Sequence, residues 1–150
     1  ILIILMFIGA CAGSTAGGIK ISRITILFKT IKKELHILMH PRLIKKIKVD
    51  GHAVPHEVIR STNVFIALYF FIFFISFLLI SVDNFDFTSS FTAVAATLNN
   101  IGPGLDMVGP TANFGVYSSF SKLVLSFDML LGRLEIFPLL TLFSPVSWKK

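Results

Sequence analysis

Six consecutive residues, Asn99-Asn100-Ile101-Gly102-Pro103-Gly104, carry no charge and no nucleophile. What they offer is backbone chemistry, a row of carbonyl oxygens. Gly102 and Gly104 accept dihedral angles that other residues avoid. Pro103 fixes its own φ and lacks an N–H. Together they can hold an extended chain with its carbonyls turned one way. Irregular backbone cannot face lipid, because its polar groups would go unpaired; at membrane depth it is packed in protein or lines a wet cavity. Carbonyls in such a cavity make an ion filter, so the stretch points to an ion pathway. The plainer reading is a surface turn, since Asn-Asn and Gly-Pro-Gly are common turn residues.

Other residues with chemical potential are few. Gly9–Gly18, GACAGSTAGG, has the glycine spacing of a phosphate-binding loop, but Ile19 intervenes before Lys20 and no Ser or Thr follows directly. A P-loop needs that Lys and hydroxyl adjacent to meet phosphate and Mg²⁺. Two readings stay open. Gly9, Gly13 and Gly17 recur every four residues, as on a close helix-packing face. Alternatively, small residues and the double glycine mark an unwound hinge in a broken helix, with Ser14 and Thr15 re-satisfying backbone groups; such a loop moves aside at little steric cost and suits a gate. Asp128, Arg133 and Glu135 lie in an apolar run, where charge is costly. Their spacings do not favour direct pairing. Arg133 is then either half of a structural ion pair with a neighbouring helix or a positive charge below a filter; Asp128 and Glu135 read as packing partners. His36, His40, His52 and His56 lack the Cys or acidic residues that would complete a metal site. No nucleophile–base pair is present, so an enzyme is the least favoured class.

The elements that must carry these residues are membrane helices. Of 150 residues, 54% are hydrophobic, 16 are Phe, only 15% are charged, and the mean hydropathy is +0.81. Ser61–Val82 holds no charge; at ~1.5 Å per residue it reaches the ~30 Å of a hydrocarbon core. A second apolar run, Ser119–Trp148, contains Lys122, Asp128, Arg133 and Glu135, with Lys122 able to snorkel and Pro138 expected to kink the helix. Ten Lys and Arg residues fall between Ile19 and Arg60, and none between Asp83 and Ser121. The excess of positive charge on the inner side places 30–60 and the C-terminus in the cytoplasm and 83–120 outside. Turns are expected at His40-Pro41-Arg42 and Asp50-Gly51. The net charge of +6 sits in that connector, as a solvated, lipid-facing loop rather than a nucleic-acid site. Phe87–Leu98 is helix-forming, with Asp86 or Thr88 as cap, but at roughly 18 Å it reaches only about half-way. It would dip in from outside and stop. Its C-terminal end, partly negative, favours a cation. The start at Ile1-Leu2-Ile3-Ile4-Leu5, without Met or a basic region, is not a signal peptide and suggests the C-terminal fragment of a longer chain. Cys11 is alone and does not fix a redox compartment.

In this order, the pieces resemble the bacterial potassium transporters of the Trk and Ktr type. AATLNNIGPG at Ala95–Gly104 is similar to that family's fourth filter segment, GACAGSTAGGIK at Gly9–Lys20 to its intramembrane loop, and GRLEIF at Gly132–Phe137 to its last helix with a pore-facing arginine. The resemblance covers essentially the whole chain. It implies an all-α integral membrane fold, a helix–pore loop–helix repeat of potassium-channel type, preceded by the broken second helix of the previous repeat. The divisions would be 1–39 for that broken helix, 40–57 for the cytoplasmic connector, and 58–150 for the fourth repeat: outer helix 58–82, pore helix 87–98, filter 99–104 and inner helix 118–148. It implies that Asn100, Ile101 and Gly102, with Asn99, contact K⁺, and that Asn100 and Ile101 are the metal-ion contacts. Gly13, Ser14, Thr15, Ala16, Gly17 and Gly18 would form a mobile barrier under the filter, and Arg133 would project into the pore. The implied function is K⁺ uptake or symport across the bacterial inner membrane, with no organic cofactor. The implied partners are the N-terminal repeats of the same protein, a second full-length copy and a cytosolic nucleotide-binding regulatory subunit. One pore repeat of four cannot enclose a path, so the chain alone would be inactive. Two rivals are a two-helix homotetrameric channel, which should carry a filter like Thr-Val-Gly-Tyr-Gly, and a structural membrane assembly subunit.

Overall fold

The computed structural model describes residues 2–9, 17–40, 47–49, 51–134 and 136–138. Helix α1 (Leu2–Ile8) leads towards the glycine-rich segment, and α2 (Ile21–Met39) leaves it. After α2 come two-residue strands β1 (Lys48–Val49) and β2 (His52–Ala53), paired antiparallel with Lys48 opposite Ala53 and Val49 opposite His52. The expected turn is present at Gly51, with φ 81°; the strands around it were not anticipated, because two residues carry no readable alternation. Helix α3 (His56–Ile80) is followed by short 3₁₀ turns and the helices α4 (Phe87–Leu98) and α5 (Ser119–Leu134), with 136–138 also helical. Arg42, Lys45, Lys46, Asp50, Glu135 and everything beyond Pro138 lie outside the described residues, so the far part of the 118–148 helix is not located.

The long helix α3 buries Thr62, Phe65, Ile66, Tyr69, Phe73, Ser76 and Ile80 on one stripe, at the three-and-four spacing of a helix face. Its other side leaves Phe71 and Phe74 62% exposed and Leu78 65% exposed. The core helix of a soluble protein would bury those groups; lipid or further membrane helices suit them. Helix α5 buries Ser121, Leu125, Asp128 and Leu131 on a matching stripe. Between the two sits α4, whose residues Ser89–Leu98 are all buried apart from Phe91, which is half-buried. Helix α1 docks on the same centre through Phe7, whose ring lies 5.4 Å from Phe73, 6.2 Å from Phe91 and 6.3 Å from Tyr69. The half-length helix is thus the core, and the longer helices are its walls.

Candidate functional site

The site is built from the end of α4 outward. Asp86 caps the start: its Oδ2 accepts the Thr88 N–H at 3.0 Å. Four residues of the helix with hydroxyls are turned inward, and Thr97 Oγ1 donates back to the Ala93 carbonyl at 2.9 Å, an arrangement that keeps a hydroxyl satisfied in apolar surroundings.

The helix then closes in a defined way. Asn99 is near-helical, with φ −93° and ψ −1°, and Asn100 is left-handed, with φ 53°. The Asn100 N–H donates to the Thr97 carbonyl at 3.1 Å and the Ile101 N–H to the Ala96 carbonyl at 2.9 Å. This crossed pair is a Schellman closure, with asparagine in place of the usual glycine. An extended run from Asn99 was expected; the chain instead spends two residues capping α4, because the last helical carbonyls need donors in apolar surroundings. The irregular backbone starts at Ile101. Gly102 takes φ 106° with open space around its Cα. At Gly104 the N–H donates to the Val108 carbonyl at 2.8 Å, and a Cβ there would sit 2.6 Å from Val108 Cγ2. Thr92 Oγ1 accepts the Leu105 N–H at 3.0 Å, pinning the returning chain to α4.

Across Asn99–Gly104, no carbonyl oxygen accepts a hydrogen bond from the described residues. Residues 100–103 are exposed, whereas Asn99 and Gly104 are buried. The exposed carbonyls of this row are open to water or to an ion, unlike the hydrogen-bonded backbone of the helix beside them.

The asparagine side chains are held from two sides. Tyr69 Oη on α3 donates to Asn99 Oδ1 at 2.8 Å, and Asn99 Nδ2 donates to the Ala95 carbonyl at 2.7 Å. Asn100 Nδ2 donates to the Met129 carbonyl of α5 at 3.2 Å. Three glycines distant in sequence close on the same spot. A Cβ on Gly17 would lie 2.6 Å from the Asn99 carbonyl oxygen, and one on Gly18 2.9 Å from Asn99 Oδ1. A Cβ on Gly132 would strike the Leu98 carbonyl oxygen and lie 2.5 Å from Asn100 Nδ2. The structure therefore gathers Asn99, Asn100, Gly17, Gly18 and Gly132 at one point. Gly13, Ser14, Thr15 and Ala16 lie outside the described residues. Gly9 has φ 61° and Gly18 φ 87°, and α1 and α2 end on either side, so a continuous helix with a Gly9–Gly13–Gly17 packing face is replaced by a broken one. Arg133, next to Gly132, is exposed.

The remaining charges have separate duties. Asp128, expected as a packing partner, bonds to Ser76 rather than to Arg133, with Ser76 Oγ 2.7 Å from Asp128 Oδ1. Lys122 Nζ reaches the Gly115 carbonyl at 2.8 Å. At the outer loop, the Ser118 N–H donates to Asp83 Oδ2 at 2.9 Å, which holds the Asp83 carboxyl below the usual carboxylate range. The four histidines show no metal-binding grouping among the described residues. Sequence reasoning missed Tyr69, Ser76 and Met129. Only the hydroxyl of Tyr69 and Ser76 on a lipid-length helix could have flagged the first two, and Met129 acts through its backbone.

A long apolar helix, a buried half-length helix and a row of carbonyls that no described donor reaches are those of an all-α protein of membrane type. The family model for TrkH, "Cation transport protein", matches residues 1–150. The chain belongs to this family, a transport family rather than an enzyme family. It is 43% identical over 144 residues to the Trk system potassium uptake protein TrkH of Escherichia coli K12, covering 96% of this chain and 29% of that one. To TrkG of the same strain it is 44% identical over 151 residues, covering 99% and 30%. The crystal structure of the potassium transporter TrkH from Vibrio parahaemolyticus superposes with a TM-score of 0.86 at 44% identity, covering 99% of this chain and 31% of that chain. The chain thus spans about three-tenths of the length of these relatives.

Proposed function

We propose that this chain supplies one pore-lining repeat of a Trk-type transporter for K⁺ uptake across the bacterial inner membrane. In this reading Asn99–Gly104 is one of four filter segments. The carbonyls of Asn100, Ile101 and Gly102, with Asn99 behind them, replace water around the ion. The observation that carries the reading is a row of carbonyls that accept no hydrogen bond from the described residues, directly after a half-length helix. An ion or its water is the partner that such oxygens need, and the α4 C-terminal end adds partial negative charge. The names of the relatives, which are potassium uptake proteins, supply the ion.

Gly13–Gly18 forms the barrier beneath. Support comes from Gly17 and Gly18, which abut Asn99 with no room for a side chain. Arg133 follows Gly132, which abuts Asn100, so its charge is close enough in sequence to oppose a cation below the filter. The missing three quarters of the pore come from the N-terminal repeats of the same protein. A second full-length copy and a cytosolic nucleotide-binding subunit complete the assembly.

Gly102 is the clean test, because its substitution disturbs backbone conformation and no neighbour. Gly102→Ala forces a side chain into a φ that costs ~1–3 kcal/mol. In the full-length transporter, K⁺ uptake at limiting K⁺ should fall and Na⁺ should compete better. Unchanged uptake and unchanged competition, at normal membrane amounts, would remove the filter reading.

A further inference from the structure

The hydrogen bond from Ser76 Oγ to Asp128 Oδ1 joins α3 to α5, and among the described residues no other side-chain hydrogen bond does so. Both residues are buried, at 5% and 1% exposure, and Asp128 Oδ2 has no partner among the described residues. Neither has a part in the proposed ion path. Polar groups kept in apolar surroundings are costly even when paired, and a half-satisfied carboxyl more so. Stability alone does not call for them, since apolar side chains would hold two helices together. What a hydrogen bond adds is direction: apolar contact is indifferent to small sliding, whereas a bond of 2.7 Å fixes height and rotation.

That height matters at the site. Met129, the residue after Asp128, accepts Asn100 through its carbonyl. One turn on, Gly132 abuts Asn100. Tyr69, two turns before Ser76 on the same side of α3, holds Asn99. Each helix therefore grips one of the two adjacent asparagines, and the Ser76–Asp128 bond locks the grips against each other.

We propose that Ser76 and Asp128 are positioning residues for ion selection: their hydrogen bond sets the offset of α3 against α5, and thereby the placement of Asn99 and Asn100 at the start of the carbonyl row. This rests on the filter reading above. The test is the ratio of K⁺ to Na⁺ uptake by the full-length transporter, normalised to protein in the membrane. Ser76→Ala should lower the ratio roughly fivefold, the equivalent of one ordinary hydrogen bond. Ser76→Thr, which keeps the hydroxyl, should restore most of it. In the double variant, Ser76→Ala added to Asn100→Ala should cause no further loss, because the two act in one chain of contacts.

A lower amount of protein with an unchanged ratio would overturn the proposal and leave a packing role. So would additive losses in the double variant. Should Ser76→Ala not reach the membrane, Ser76→Cys, a weak donor, takes its place: an intermediate ratio supports the proposal and a wild-type ratio overturns it. Failure of the filter reading itself looks different, since Asn100→Ala and Gly102→Ala would then leave the ratio untouched.

Discussion

Asn100 does two jobs that usually fall to different residues. Its backbone, at φ 53°, closes α4 as glycine commonly does, and its side chain ties the closure to α5 through Met129. Glycine would serve the first role and lose the second, which explains asparagine at a left-handed position. Behind it, Tyr69 is the donor to Asn99 Oδ1. Tyr69→Phe should leave that buried acceptor unsatisfied at about 1–3 kcal/mol, seen as a lower unfolding temperature in detergent without loss of the aromatic packing on Phe7. Gly132 is the tightest of the three glycines at the site, and Gly132→Ala should cost ~1–3 kcal/mol by overpacking, measured the same way; a neutral result would mean that α5 is free to shift. Part of this was legible in the sequence. The Asn-Asn and Gly-Pro-Gly residues announced irregular backbone, and Asp86 announced a cap. Tyr69 and Asn99 are thirty residues apart, and no local pattern connects them. The left-handed turn at Asn100 was hidden for a different reason: its glycine-like role was given to a residue that also reads as loop.

At the scale of elements, the half-length helix was the most legible feature. Its span, Phe87–Leu98, follows from an acidic cap at one end and Asn-Asn at the other, with twelve small or apolar residues between. The glycine-rich break was legible as a choice between a packing face and a hinge; positive φ at Gly9 and Gly18 decides for the break, because neither angle fits a helix. If that segment is a gate, deleting Ser14–Gly17 should raise ion flux through the closed transporter, and Arg133→Ala should raise basal conductance, both read by electrophysiology or by leak of ⁸⁶Rb⁺ from vesicles. The outer loop carries its own sensitivity. The Ser118 N–H lowers the Asp83 carboxyl relative to the unfolded chain. A lowered folded value means a contribution present above the unfolded value, about 3.9, and lost as the pH falls through the folded value. Thermal stability should therefore decline at external pH below about 4, and Asp83→Ala should flatten that limb; an unchanged acid limb would assign it to other carboxyls.

At the scale of the whole molecule, the proposed orientation rests on the charge pattern. The basic residues cluster between α2 and the start of α3, while the 83–121 stretch has none. In the proposed orientation a cysteine at Thr111 should react with an impermeant reagent from the outer face and one at His52 should not. In the proposed reading, the exposed Phe71, Phe74 and Leu78 face lipid and the exposed carbonyl row faces the rest of the pore. In the proposed filter, a chain that spans about three-tenths of its relatives would meet the ion on one side only. The most direct measurement is anomalous diffraction from the full-length transporter soaked in Tl⁺ or Rb⁺. The account predicts an ion peak on the pore axis within coordination distance of the Ile101 and Gly102 carbonyl oxygens. Peaks elsewhere, with none at these oxygens, would contradict it.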